Sequence, residues 1–193
     1  MIRTFVIYVS DHPGVLNRVS SLFRRRGYNI ESLTVGHTEI PEVSRMTAVV
    51  AIDSEGALLV KANLYKLPEV MHVDDITSVP SVNRELAIVK VSAPPSLRGD
   101  LMRILEVFRA RVLEVASESL LVETTGAEDA VDSLIEVLRP YGILEMTRTG
   151  RVAMTRGNKP AFALGMQKKQ AAQVASVPEW NSSLESMTAR NCS

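Results

Sequence analysis

Cysteine is almost absent from this chain of 193 residues: the only one, Cys192, is the penultimate residue. A single thiol excludes an internal disulfide framework and a cysteine metal cluster, and it suits a reducing compartment. Net charge is absent too, because 22 basic residues balance 22 acidic ones. No global field therefore draws the chain to nucleic acid or to an anionic membrane. The one local candidate, Arg24-Arg25-Arg26, ends a predicted helix, where cations complement the helix dipole and face water. No apolar run approaches the roughly 20 residues that span a bilayer, and no secretory leader precedes the first predicted strand. The expectation is a protein with no membrane and no nucleic-acid partner, in the cytoplasm, with a plastid stroma as the alternative.

What is present is apolar periodicity, and a hydrophobic content of 46% is ample for packed cores. Residues 4–10 alternate as a strand. Val15, Val19, Leu22 and Phe23 then recur at helical spacing, and Gly27 stops that helix. Residues 29–35 and 46–52 read as strands joined by a loop over 36–44. Ser54 is positioned to cap a second helix carrying Leu58, Leu59, Ala62 and Tyr65, and residues 70–76 supply a fourth strand.

A polar, proline-bearing stretch over 79–83 reads as a linker, after which the order repeats. A strand over 86–91 precedes a helix with Leu101, Ile104, Leu105 and Phe108 on one face, then a hairpin of 112–116 and 120–124 through Glu118 and Ser119. A helix bearing Ala130, Leu134, Val137 and Leu138 ends at Pro140 and Gly142, and residues 143–147 close the unit. The class is α+β: two consecutive ferredoxin-like βαββαβ domains, residues 1–78 and 84–157, each a four-stranded antiparallel sheet with two helices on one face. From 158 to 193 the periodicity stops, which predicts a flexible tail with Trp180 as its one bulky anchor.

Catalysis needs convergent groups, and His12, His37 and His72 fall on three separate predicted elements. Asp74 and Asp75 are neighbours on a strand, so they point to opposite faces and cannot readily share a proton or a metal. No P-loop, dinucleotide glycine fingerprint or metal-ligand spacing occurs. The expectation is no catalytic residue, no metal site and no cofactor on this chain. RNA-binding modules share the βαββαβ order but need exposed aromatics on their central strands, and residues 45–52 and 120–124 hold none. A copper-carrying relative would need paired cysteines after the first strand, where this chain has Asp11-His12-Pro13-Gly14.

That turn is the best candidate for function, and it reads as a sensor of a small ligand. Asp11 is placed to cap the helix, and Pro13 suits its first turn. Gly14 leaves the backbone uncovered where unpaired N–H groups and the positive helix end favour a carboxylate. Taken singly, Gly14 needs no role beyond a tight turn, Asn29 none beyond the approach to a strand, and His12 none beyond an exposed loop. Gly14 and Asn29 at this spacing, in this fold, favour ligand contact.

One ordered set of motifs carries a resemblance. It comprises Pro13-Gly14-Val15-Leu16, the run from Arg25 through Gly27-Tyr28-Asn29-Ile30-Glu31 to Leu33, Val35-Gly36, and Ser44-Arg45-Met46-Thr47. It continues with Arg84-Glu85-Leu86, Val89-Lys90-Val91 and Arg148-Thr149-Gly150-Arg151-Val152-Ala153. Over residues 3–157 the chain resembles the small, regulatory subunit of acetolactate synthase (acetohydroxyacid synthase), with an N-terminal ACT domain.

The resemblance implies a non-catalytic chain that binds a large subunit carrying thiamine diphosphate, magnesium and FAD. That subunit condenses two pyruvates, or pyruvate with 2-oxobutyrate, in valine, leucine and isoleucine biosynthesis. The small subunit would raise its activity and confer feedback inhibition by a branched-chain amino acid, usually valine. The resemblance also implies a homodimer in which two ACT domains share one sheet, with the effector at their interface. Gly14, Val15 and Leu16 would then offer backbone groups to the carboxylate, while Asn29 and Ile30 of the facing subunit hold the amino group and side chain. Asp11 stands where several bacterial members carry Asn, and a carboxylate accepts an ammonium but repels a ligand carboxylate. Arg148, Gly150 and Arg151 would form a basic edge, turned either to the large subunit or to solvent. The competing class is a free-standing ACT sensor that regulates another enzyme or a transcription factor. An enzyme built on paired ferredoxin-like folds has no residue set to support it.

Overall fold

Residues 1–157 are described by a computed structural model; the expectations of a tail and of a Trp180 anchor lie outside them. Alternation along β1 (Ile2–Ser10) sends Phe5, Ile7 and Val9 to one face and Thr4, Val6 and Tyr8 to the other. β1 pairs antiparallel with β3 (Val43–Ala51) and β4 (Val70–Asp75), and β2 (Ile30–His37) adds outside β3, in the order β2-β3-β1-β4. α1 (Val15–Arg25) buries Val15, Val19, Leu22 and Phe23, the stripe its spacing predicts. With α2 (Ser54–Leu64) it closes over Phe5, Ile7, Met46, Ala48 and Val50.

The second half repeats this plan around β5 (Ser81–Ser92), except that its sheet has five strands and not the four expected. β5 lies between β7 (Ser119–Gly126) and β8 (Ile143–Arg148), and β6 (Arg111–Val115) adds outside β7. α3 (Pro95–Val107) and α4 (Glu128–Leu138) cover one face through Leu101, Leu105, Leu134 and Leu138. Both halves are therefore ferredoxin-like α+β units with antiparallel sheets, as the periodicity predicts.

Four local expectations are corrected. Asp53, not Ser54, caps α2: its carboxylate accepts the Gly56 N–H at 2.7 Å, and Ser54 is already helical. α2 buries Gly56, Ala57, Val60 and Leu64, leaving Leu58, Leu59 and Tyr65 exposed. The reason is that α2 is apolar on most sides, so periodicity selects no face, while Gly56 permits close approach to the Tyr28 ring. α4 likewise buries Val131, Leu134, Ile135 and Leu138 and turns Ala130 and Val137 outward. The stretch over 79–83 is not a free linker, because Ser81–Arg84 pair with a further strand, β9 (Val152–Thr155), that no alternation reveals.

β9 also seals the second face of β1. Ala153 packs, fully buried, with Val6 and Ile76, and Tyr8 lies alongside. Arg45 donates to the Ala153 carbonyl, and the Arg151 guanidinium reaches Thr4 Oγ1 at 2.8 Å. The two halves are joined by packing and hydrogen bonds as well as by the chain.

Asp74 and Asp75 do point to opposite faces, each with its own partner: Asp74 lies 2.8 Å from His72 Nε2, and Asp75 2.6 Å from Arg3. Burial opposes charge on Asp75, but hydrogen bonds from the Thr77 hydroxyl and backbone and from Arg3 together outweigh it, holding the carboxyl below its ordinary range. A lowered folded-state pKa gives stability that is present above the unfolded value near 3.8 and is lost as pH falls through the folded value. Asp75→Asn should therefore lower the thermal midpoint at neutral pH, with the gap from the natural chain narrowing below about pH 4. Loss of the α2 cap in Asp53→Ala should cost about 1 kcal/mol in urea unfolding.

Candidate functional site

The turn after β1 is pinned from two sides. Ser10 N–H donates to the Glu69 carbonyl at 2.9 Å, and Asp11 N–H to the Glu42 carbonyl at 2.8 Å. Gly14 then takes a left-handed conformation, φ 88°, as the residue that begins α1, with no side chain capping the helix. A Cβ at Gly14 would meet nothing within 4 Å, so the glycine is needed for its backbone angle, and the approach to the helix end stays open. Val15 N–H makes a long 3.4 Å bond to the His12 carbonyl, and the amides of Leu16 and Asn17 have no acceptor among the described residues. Val15 is buried and Leu16 is 45% exposed.

Asp11 does not cap the helix. Pro13 and Gly14 form a turn between it and Val15, and its carboxylate lies 3.2 Å from Nδ1 of His37 at the end of β2. Pro13 likewise precedes the helix and is not part of its first turn. His12 is exposed, and among the described residues no group of three His, Cys, Asp or Glu could hold a metal. No described helix is long and apolar enough to cross a membrane.

The other end of α1 carries the second set of candidates. Gly27, φ 70°, ends the helix in a Schellman arrangement, with Tyr28 N–H bonded to the Phe23 carbonyl and Gly27 N–H to the Arg24 carbonyl. Arg24, Arg25 and Arg26 face solvent there, as their position predicts. Asn29 is exposed and donates to Glu31 at 2.9 Å, while Ile30 packs partly against the core. With 11 residues in α1, the Gly14 and Asn29 ends lie about 16 Å apart along the helix. The candidate residues therefore fall in two separated groups on one chain: Asp11, Gly14, Val15 and Leu16 at one end of α1, Asn29 and Ile30 at the other.

Between the halves of the molecule lies a polar seam that sequence reasoning missed. Arg148 spans the Glu85 carboxylate with bonds of 2.9 and 2.6 Å and reaches Asp132 at 2.7 Å. Hydrogen bonding to Glu85 raises its pKa most, burial works against it and Asp132 adds to the rise, so the guanidinium is held firmly charged. Arg151 bonds Thr4 and Glu128. The basic edge read from Arg148 and Arg151 is thus partly buried, with each guanidinium paired to carboxylates of the same chain. A cavity of about 470 Å³ opens here, lined in part by Glu31, Ser32, Glu85, Arg148 and Arg151. The motifs containing Glu85 and Arg148 were visible in the sequence; their pairing depends on strand register and was not.

Residues 5–72 match the AHAS small subunit-like ACT domain, and residues 84–157 match the small subunit of acetolactate synthase. A probable acetolactate synthase small subunit from Archaeoglobus fulgidus is 50% identical over 159 residues, covering 82% of this chain and 99% of its own. The Bacillus subtilis acetolactate synthase small subunit is 45% identical over 160 residues, covering 82% and 93%. The crystal structure of the Thermotoga maritima small subunit superposes with a TM-score of 0.77 at 35% identity, over 82% of this chain and 99% of that one. The fold and these matches define an ACT-domain regulatory subunit. The chain belongs to the acetolactate synthase small-subunit family.

Glu85 is 7% exposed, so removing its partner strands a buried charge. Arg148→Met should cost roughly 3–5 kcal/mol in urea unfolding, and the double change Arg148→Met with Glu85→Leu should recover most of that loss.

Proposed function

We propose that this chain is the non-catalytic partner of a thiamine-diphosphate-dependent acetolactate synthase large subunit in the cytoplasm. It raises that subunit's activity and makes it sensitive to a branched-chain amino acid, valine first. It carries no catalytic residue and no cofactor of its own, and it works as a homodimer through its ACT domains.

The observation that supports this reading is the separation of the half-sites by the length of α1. The uncapped helix end at Gly14 suits a carboxylate, through the amides near Leu16 and the positive end of the helix dipole. Asn29 and Ile30 offer a polar group beside an apolar one, which suits an ammonium and an aliphatic side chain. They stand at the start of β2, an edge strand whose outer backbone groups are free to pair with a second copy. Two chains joined at β2 would bring one half-site from each together. Asp11, beside His37, adds a carboxylate acceptor for the ligand's ammonium. A ligand bridging two copies stabilises one arrangement of the pair, and a large subunit that prefers the other arrangement is thereby inhibited.

Calorimetric titration of the full chain with valine, leucine and isoleucine, with alanine as control, tests the reading. Saturable heat with one branched-chain ligand is expected. Gly14→Asp should abolish it by setting a carboxylate against the ligand's own. Gly14→Ala adds only a methyl group in open space and a left-handed strain of about 1–2 kcal/mol, so it should bind more weakly with the same ligand preference. Unchanged affinity in Gly14→Asp refutes the site. Capture of the chain's partner from its own cell extract separates this reading from a free-standing sensor, since a large thiamine-dependent subunit must come with it.

A further inference from the structure

The strand that carries half of the proposed ligand site also grips the second half of the molecule. Along β2, Ile30 pairs with Val50, the register then shifts, and Ser32 pairs with Val49, leaving Glu31 in a bulge. Immediately beyond the bulge, Ser32 Oγ accepts the Arg151 N–H at 2.9 Å, and Thr34 Oγ1 donates to the Thr149 carbonyl at 3.2 Å. Between those bonds sits Gly150, φ +79°, where a Cβ would come within 2.4 Å of Ser32 Oγ and 3.3 Å of Ser32 Cβ. This contact is backbone against a short side chain. The side chain is short, so a displacement of the β2 backbone at Ser32 acts directly on the backbone at 149–151.

Arg151 passes the constraint on, since its guanidinium bonds Thr4 on β1 and Glu128 at the start of α4. The bulge itself has room to move, because the cavity of about 470 Å³ lies against Glu31 and Ser32 on one side and Thr149, Gly150 and Arg151 on the other. Bulges re-aim side chains and alter local twist, and a register change on one strand is a discrete event. A bulge next to the Asn29–Ile30 pair, facing a cavity and followed by a close polar contact, is the kind of element whose register can respond to a bound group.

We propose that the Glu31 bulge and the Ser32–Gly150–Arg151 contact couple occupancy of the Asn29–Ile30 half-site to the position of the carboxyl-terminal half. This rests on the reading that a branched-chain amino acid binds there. Ser32 is a positioning residue: it touches no ligand and acts through the backbone at 149–151.

The test is amide hydrogen exchange of the full chain, with and without valine, alongside calorimetry on the same samples. In the natural chain, valine should change exchange of the Arg151 amide at least about fivefold, within the usual range of coupling between sites. Ser32→Ala should keep the valine Kd within about twofold and lose that change. Thr34→Val, which preserves shape and removes only the bond to Thr149, should reduce it and guards against a folding defect in the first variant. With the large subunit present, Ser32→Ala should raise the half-inhibiting valine concentration by roughly tenfold. Saturable valine heat with unchanged Arg151 exchange in the natural chain overturns the coupling and leaves the binding reading intact. Absence of heat overturns the binding reading and the coupling with it.

Discussion

Burial of β1 on both faces is the constraint on which the rest depends. Phe5, Ile7 and Val9 are covered by α1 and α2, as in any sheet with helices on one side. Thr4 and Val6 are buried on the opposite face, where an antiparallel sheet commonly meets water. That second layer comes from β9, through Ala153, and from the Arg151 and Arg45 bonds that bracket it. Ala153 covers Val6 and Ile76, so this small cluster ties β9 to the first half by excluding water from apolar surface on both sides.

The fold was legible in the sequence wherever local pattern and tertiary demand agree. α1 shows its inward stripe because its other side is polar, and Gly27 stops it because only a left-handed residue closes the Schellman arrangement without strain. α2 hid its inward face, since Leu58, Leu59, Val60 and Leu64 surround the axis and the choice fell to the small residues Gly56 and Ala57. β9 is four residues long, too short for alternation to be seen, and its existence depends on a partner some 70 positions upstream. The Arg148 and Glu85 pair escaped for the same reason: the two are separated by 63 residues and meet only through the register of β5 and β8.

The candidate site was legible as residue types and not as geometry. Gly14 and Asn29 stand out because glycine before a helix and asparagine before a strand each leave backbone or amide groups open. The role first read for Asp11 failed on a count of residues, since Pro13 and Gly14 form a turn ahead of the helix and set its carboxylate beside His37 instead. The bulge at Glu31 leaves no sequence signal, and Gly150, though visible in a motif, does not reveal that it lies against Ser32, because both depend on tertiary register.

The bond from Arg151 to Thr4 closes a loop of 147 residues, and it has a consequence for the order in which the protein acquires its structure. A chain made at about 5–20 residues per second completes β4 several seconds before β9 exists. During that interval the amino-terminal sheet stands with its second face uncovered. Thr4, Tyr8, Arg45 and Thr47 lie on that face among Val6 and Val49, and their polar groups keep it wettable until the last strand arrives.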